Sequence, residues 1–351
     1  MKVLITHELF MPDFAGGGER LAYEMAAGLQ KKGVEVQVLT TGDPKIKSYK
    51  GIPTTRIPIN RYMMNFTALN IAQLAKDYDI IQTMNYNAAL PAWIAGKLVD
   101  KPVVCLVTGV YGHRWMQMRG PVFGIASQLV EALQLNHDFD RIVFLSEFSR
   151  RWGIETGIPG ELTDVANPGI EHRLFKQKKK EWYVLFMGRF ARQKGVYDLL
   201  EAARQLPDIK FKLVGWGEEE QKMREFVARN AMSNVEFYNY TFRSGRPFFD
   251  MYAHAAVLCQ PSLAESFGFT IVEGMASGCA IVSTVDLGYK GMVVQPNDPG
   301  GLAEAIRRLF DNRKATLGMG RENVKLARQY TWGKFVEKMI SIYKEVLKEK
   351  K

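Results

Sequence analysis

No stretch of this sequence approaches the ~18 consecutive apolar residues of a membrane-crossing helix, which excludes an integral helical membrane protein. Cysteine is scarce, with 3 in 351 residues. Cys105, Cys259 and Cys279 lie in apolar runs without metal-ligand spacing. A disulfide scaffold is therefore not expected, and all three read as buried free thiols of a reducing cytosol. The opening strand, Lys2-Val3-Leu4-Ile5-Thr6, is too short to be the apolar region of a secretory signal. A cytoplasmic protein is expected, with the inner face of the cell membrane as the one membrane site open to it. A dinucleotide fingerprint is also missing, because Gly16-Gly17-Gly18 is followed by Leu21 where its last glycine belongs, which argues against a dehydrogenase. A net charge of +10 suits anionic partners, but no nucleic-acid reading motif accompanies it, so nucleic acid is not expected among them.

What is present is one architecture, twice. Lys2–Thr6 reads as a strand, residues 11–18 as a loop rich in Gly and Pro, Glu19–Lys32 as an amphipathic helix stopped by Gly33, and Val34–Thr40 as a second strand. The pattern restarts with strand Tyr183–Met187, loop Gly188–Gly195, helix Val196–Gln205 and strand Phe211–Val214. Two doubly wound α/β domains in tandem follow, each binding ligands at the carboxyl ends of its strands. The stretch Glu171–Trp182, carrying Lys176-Gln177-Lys178-Lys179-Lys180, reads as an exposed linker between them. The expected boundaries are 1–170, linker 171–182, 183–328, and a last helix in 329–351.

The densest chemistry lies in Glu265-Ser266-Phe267-Gly268-Phe269-Thr270-Ile271-Val272-Glu273. A buried strand, Val257–Pro261, delivers Glu265 to the mouth of a cleft, and a helix begins near Gly268. The unpaired N–H groups of that first turn favour an anion. Glu273, a turn further in, can reach back to hydroxyls lying over the anion, since carboxylates accept hydrogen bonds from sugars. A nucleotide sugar fits all three features. In Gly188-Arg189-Phe190-Ala191-Arg192-Gln193-Lys194-Gly195, Arg189 offers a planar fork for phosphate oxygens and Lys194 a compact charge. Val214-Gly215-Trp216-Gly217 adds a third strand end, where Gly215 and Gly217 let a base or ribose approach the backbone.

Taken together, these segments resemble the E-x7-E signature and flanking motifs of retaining glycosyltransferases of family 4. Asn167-Pro168-Gly169-Ile170, Pro261-Ser262 and Gly16-Gly17-Gly18-Glu19-Arg20 fall in the matching order, so the resemblance spans nearly the whole chain. It implies the GT-B fold, two tandem Rossmann-like domains facing a central cleft, with the last helix crossing back to the first domain. It also implies roles. Arg189 and Lys194 would bind the donor diphosphate and stabilise it as it leaves. Glu273 would hold the ribose, and Glu265 the transferred sugar near its anomeric carbon. Gly188, Ser266 and the backbone of Phe267, Gly268 and Phe269 would cradle the donor, and Gly16 and Gly17 would let the first loop approach donor phosphate or acceptor. Neither metal nor other cofactor is expected, the nucleoside-diphosphate sugar being a co-substrate.

This chain departs from the family's pattern in two places. Where a histidine commonly ends the strand equivalent to Val103–Val107, it has Thr108-Gly109, with His113 five residues on as the other candidate for a sugar contact. After Ile281–Thr284 it has only Asp286–Gly291 in place of a longer glycine-bearing loop and helix. The first departure leaves a non-catalytic nucleotide-sugar-binding subunit as an alternative, beside a nucleotide-sugar epimerase of the same fold. The acceptor, read from the first domain, is a glycan, a lipid-linked saccharide or a small metabolite. Arg61–Leu74 and Tyr111–Phe123 interleave arginine with Tyr62, Met63, Phe66, Trp115, Met116 and Phe123, a pattern that suits anionic membrane and equally suits a packed core.

Overall fold

The computed structural model describes residues 1–13, 16–239 and 246–350. Phe14 and Ala15 of the first loop and Lys351 of the basic tail lie outside them. The chain divides into two units, Met1–Gly169 with Thr331–Lys351, and Ile170–Tyr330.

The first unit holds strands β1 (Lys2–Thr6), β2 (Glu35–Thr41), β3 (Ser48–Tyr49), β4 (Ile52–Ile57), β5 (Ile80–Met84), β6 (Val103–Val107), β7 (Arg141–Phe144) and β8 (Thr163–Val165). They form one sheet in the order β3-β4-β2-β1-β5-β6-β7-β8, parallel except for the β3–β4 edge. β5 and β6 are buried at every residue, as a sheet covered on both faces requires. The covering helices are α1 (Gly17–Lys31), α2 (Ala68–Ala75), α3 (Ala89–Val99), α4 (Arg114–Leu135) and α5 (Glu147–Glu155). Ile71, Ala89, Ala92, Cys105, Ile142 and Phe144 form the centre of one apolar cluster.

In the second unit, β9 (Glu181–Met187), β10 (Lys210–Val214), β11 (Val235–Tyr238), β12 (Ala255–Gln260), β13 (Ala280–Ser283) and β14 (Gly291–Val293) form a parallel sheet ordered β11-β10-β9-β12-β13-β14. Its helices are α6 (Val196–Arg204), α7 (Glu220–Arg229), α8 (Arg246–His254), α9 (Phe269–Ala276), α10 (Pro299–Asp311) and α11 (Arg313–Ala327). The order reverses at β9, between β10 and β12, and ligands of open α/β sheets bind at such a switch point.

The last helix, α12 (Trp332–Glu349), belongs to the first unit, as the family resemblance implied. Thr331 caps it, its side chain accepting from Lys334 N–H, and Phe335, Val336, Met339, Ile342, Tyr343 and Val346 form its buried stripe. Tyr343 donates to Gln82 Oε1 at 2.7 Å inside the sheet's cover.

Residues 171–182 are largely exposed, as expected, but they are part of the second unit instead of a linker. They open the second unit, where Phe175 packs edge-on to Phe249 and Tyr252, and Trp182 to Phe310. Lys180 is half-buried, donating to the carbonyls of Ser277 at 2.7 Å and Ala253 at 3.0 Å. The run of lysines dominated the local composition, but two aromatic side chains with core partners outweigh it, since each withdraws a large apolar surface from water. The basic tail is likewise anchored, with Glu349 held by Arg141 and Lys350 by Asp100. The three cysteines are buried and free, and burial pushes each thiol up.

Candidate donor site and the first unit's strand edge

Three loops of the second unit, after β9, β10 and β12, are tied together by backbone hydrogen bonds at the sheet's carboxyl edge. Gly188 N–H donates to Val214 at 3.0 Å and Phe190 N–H to Trp216 at 2.8 Å, joining the first two. Leu263 N–H donates to Gln193 at 2.9 Å, joining the first to the third. Gly195 makes the second junction feasible: its φ is +67°, and a Cβ there would stand 1.8 Å from the carbonyl oxygen of Pro261. The expected donor residues Gly188, Arg189, Lys194, Gly215, Gly217 and Glu265 thus sit on one scaffold.

Lys194 and Glu265 meet in an ion pair, with side chains 20% and 17% exposed. Seventy-one residues separate them in the chain. Arg189 lies at the same edge and is exposed. The three-residue turn of Arg192–Lys194 places Arg192 against Glu219 at 3.3 Å instead, so the two arginines of the loop have different surroundings.

α9 starts immediately beyond, with Gly268 as its left-handed N-cap. Phe267 is 1% exposed, its ring against Phe269 and Tyr330, so its side chain supports the tip from within. Ser266 is buried as well. A polar lattice supports this tip: Thr270 donates to Gln260 Oε1 at 3.2 Å, Gln260 to Ser262 Oγ at 2.9 Å, and Thr284 to the Ser262 carbonyl at 2.6 Å. Glu273, on the inner side of α9, is 1% exposed and accepts from Tyr252 O–H at 2.8 Å. One carboxylate oxygen is thus turned towards α8.

In the first unit, Gly16 caps α1, its N–H donating to Glu19 Oε2 at 2.8 Å, and Gly17 is the helix's first residue. Thr108 is committed locally, its N–H and Oγ1 both donating to Asn85 Oδ1, at 2.9 and 2.7 Å. His113 is the exposed N-cap of α4.

The sequence reading missed the residues that do crowd a strand end, those after β1. His7 is 7% exposed and Glu8 5%. Glu8 pairs with Arg61 and accepts from Asn87 Nδ2 at 2.5 Å, while Arg56 pairs with Asp13 at 2.7 Å. The signal was available: His7-Glu8 directly follows the first strand, where this class of sheet gathers ligands. Burial pushes the His7 imidazole down, against the opposing pull of Glu19 and Glu8. Since the unfolded imidazole titrates near 6.5, the unfolded chain binds a proton below that pH which folded His7 refuses. His7 therefore contributes stability above about pH 6.5, lost on acidification with a slope of up to about 1.4 kcal/mol per pH unit. Urea unfolding at neutral and mildly acid pH checks this, His7→Gln being expected to lose less stability on acidification than the unaltered chain. Equal losses would remove His7 from the account.

The expectation of a metal-free site took the sequence to lack an Asp-x-Asp motif, but it holds two such triplets, Asp77-Tyr78-Asp79 and Asp138-Phe139-Asp140. Asp79 accepts from Lys2 N–H, Asp140 from Val103 N–H, and Asp138 from Trp93 and Lys97. All three tie down strand or helix ends of the first unit. Among the described residues no three His, Cys, Asp or Glu side chains are grouped to hold a metal ion.

Two α/β units with parallel sheets, one carrying this strand-edge and helix-tip arrangement, define a GT-B glycosyltransferase. Residues 15–174 match the model of glycosyltransferase family 4, and residues 181–312 that of the glycosyl transferases group 1. The chain belongs to this family. It is 26% identical to a phosphatidyl-myo-inositol mannosyltransferase of Mycolicibacterium smegmatis, over 95% of this chain and 91% of that one. Its fold is similar to sucrose-phosphate synthase from Thermosynechococcus elongatus, with a TM-score of 0.82 at 21% identity and 99% of both chains covered. It is also similar to Anabaena HepE, solved in complex with UDP, with a TM-score of 0.79 at 19% identity, over 98% of this chain and 100% of that one.

Proposed function

We propose that this glycosyltransferase moves a sugar, with retention of anomeric configuration, from a nucleoside-diphosphate sugar to a hydroxyl acceptor. The observation that carries the reading is the Lys194–Glu265 pair beside the tip of α9, which joins a phosphate cation to a sugar-binding carboxylate. The acceptor oxygen attacks the anomeric carbon on the face the diphosphate leaves. The bond from that carbon to the diphosphate oxygen breaks, and a leaving-phosphate oxygen takes the acceptor's proton. No side chain has to act as a strong base. Arg189, Lys194 and the first-turn N–H groups of α9 neutralise the departing charge, an effect that favours the transition state over bound donor.

UDP is bound by the HepE neighbour, and a phosphatidyl-inositol is the acceptor named for the mycobacterial relative. These support a nucleoside diphosphate at the second unit and a polyol or lipid-linked acceptor at the first. A lipid acceptor would bring the protein, whose described residues include no helix able to cross a membrane, to an anionic inner-membrane surface. Nuclear magnetic resonance of the product's anomeric proton tests retention, and an inverted product would overturn the mechanism.

The two cations also predict that turnover survives chelation. EDTA in the assay is expected to leave the rate unchanged. A rate that collapses and returns with magnesium or manganese would transfer the neutralising role from Arg189 and Lys194 to a metal.

A second reading, a binding subunit without catalysis, draws on the commitment of Thr108 to Asn85. Nucleoside-diphosphate binding without either donor hydrolysis or transfer, across a panel of donors and acceptors, would favour it.

A further inference from the structure

Most of the net charge of +10 is carried by two segments of the second unit that the donor site does not use. Residues 171–180 and 313–330 hold ten Lys and Arg side chains against two acids, Glu171 and Glu322. Folding brings the two segments together. They wall a cleft of about 440 Å³ at the far end of α9, to which the first lends His172, Phe175, Lys176 and Gln177, α11 lends Val324, and the C-cap of α11 is Arg328. Ala276, the last residue of α9, closes it. Small-molecule pockets span roughly 300–1,000 Å³, so the cleft is of ligand size. Phe175 and Ala276 are buried and give it an apolar floor, whereas Lys176 and Arg328 are exposed. Gly278 lets the first segment lie this close: its φ is +78°, and a Cβ there would stand 3.1 Å from Gln177 Cγ.

Two helices end at this cleft, and cations gather at helix C-termini to offset unpaired carbonyls. Here those carbonyls already have partners. In α9 the carbonyls of Glu273, Gly274 and Met275 accept from the N–H groups of Ser277, Cys279 and Gly278, and the Ser277 carbonyl accepts from Lys180. Beyond α11 the carbonyls of Lys325, Leu326 and Ala327 accept from the N–H groups of Arg328, Gln329 and Tyr330, and His172 Nε2 donates to the Tyr330 carbonyl at 2.9 Å. Nearby acids are also engaged, Glu171 with Arg173 at 3.1 Å and Asp250 with Lys178 at 2.6 Å. Glu322 stands two residues from Val324, on the opposite side of α11. Among the described residues Lys176 and Arg328 have no acid partner. A concave surface lined by charge of one sign concentrates the field of that charge and draws in a counter-ion.

We infer that this cleft is a second anion site, which takes a phosphorylated small molecule. Arg328 offers the planar fork and Lys176 the compact charge for its phosphate, while Phe175 and Ala276 support its less polar part. The site is separate from that of the donor diphosphate. That diphosphate is assigned to the N-terminal tip of α9, and a helix of 8 residues puts about 12 Å between its two ends.

The test is calorimetric titration of the whole protein with inorganic pyrophosphate, a probe with the charge of the expected ligand and neither sugar nor base. Arg189→Ala with Lys194→Ala weakens the donor site, and one binding event is expected to remain in that variant. Lys176→Glu with Arg328→Glu should lower the affinity of this event roughly tenfold or more, the loss expected of charge-assisted hydrogen bonds, and added sodium chloride should weaken it in the unaltered chain. Lys176→Gln with Arg328→Gln, which only neutralises, should fall between. Lys179→Glu with Lys314→Glu makes the same change of net charge on the same two segments away from the cleft, and is expected to bind as the unaltered chain does. All four substituted side chains are exposed, so near-ultraviolet circular dichroism should not change.

Absence of pyrophosphate binding from the Arg189 and Lys194 variant would overturn the inference, as would equal binding after substitution of Lys176 and Arg328. An equal loss in the Lys179 and Lys314 control would overturn it too, by making the affinity a property of the whole basic surface. UDP affinity is expected to be untouched by the Lys176 and Arg328 substitutions, and its loss with that of pyrophosphate would remove the cleft as a second site. A protein that binds pyrophosphate as expected but no nucleoside diphosphate would keep this site and lose the donor assignment instead.

Discussion

Arg189→Ala combined with Lys194→Ala is expected to abolish sugar transfer while the protein stays folded. Arg189 is exposed and Lys194 sits in a loop whose backbone is pinned by its neighbours, so neither side chain supports the core. In the proposed mechanism they supply positive charge where the diphosphate departs. Loss of one such contact costs about 2.7–4 kcal/mol by analogy with oxyanion donors, or roughly 10²–10³ in rate. Removing Lys194 also strips Glu265 of its ion-pair partner, leaving an acid that is only 17% exposed, so the two losses will not simply add. Steady-state transfer assays with each single variant and the pair would show this. Full turnover by the double variant would remove the diphosphate assignment.

The second large effect separates the two glutamates. Glu265→Gln should bind free nucleoside diphosphate normally yet transfer roughly a hundredfold more slowly, because in the proposed role its carboxylate acts through the transferred sugar. Glu273→Gln should weaken binding of the free nucleoside diphosphate as well as of the whole donor. In the proposed role the Glu273 carboxylate accepts from the ribose hydroxyls, and an amide accepts them less strongly than a carboxylate. Calorimetry with nucleoside diphosphate makes the comparison directly. Should both variants bind it equally weakly, the pair would be internal support for the α9 tip and the division of labour proposed for them would be wrong. Tyr252→Phe offers a control, since it removes one hydrogen bond to Glu273 without changing its charge and is expected to leave nucleotide binding intact.

Much of this was legible before any coordinates. The strand–loop–helix cycle at residues 2–41 and 181–214 follows from apolar runs punctuated by glycine, and its expected ends fall within about two residues of those observed. The helix after Gly268 and the N-cap at Thr331 are local signals too, decided by a few neighbouring side chains. Errors arose where distant residues set the outcome. Lys180 reads as a solvated charge until the carbonyls of Ala253 and Ser277 arrive around it.

Composition and periodicity therefore determined by themselves that this is a two-unit α/β protein, and the order of its motifs carried the resemblance to a glycosyltransferase family. Those properties are written in short-range pattern, since side-chain period and turn residues act over a few positions. Only tertiary structure decided that Lys194 neutralises Glu265, that Glu273 faces Tyr252, that His7 and Glu8 crowd the first strand's end, and that α4 keeps its apolar side in solvent. Each depends on which strands become neighbours and which helix face finds a partner. An apolar stripe has the same sequence whether it is buried or left outside, and a charge the same identity whether it is paired or free.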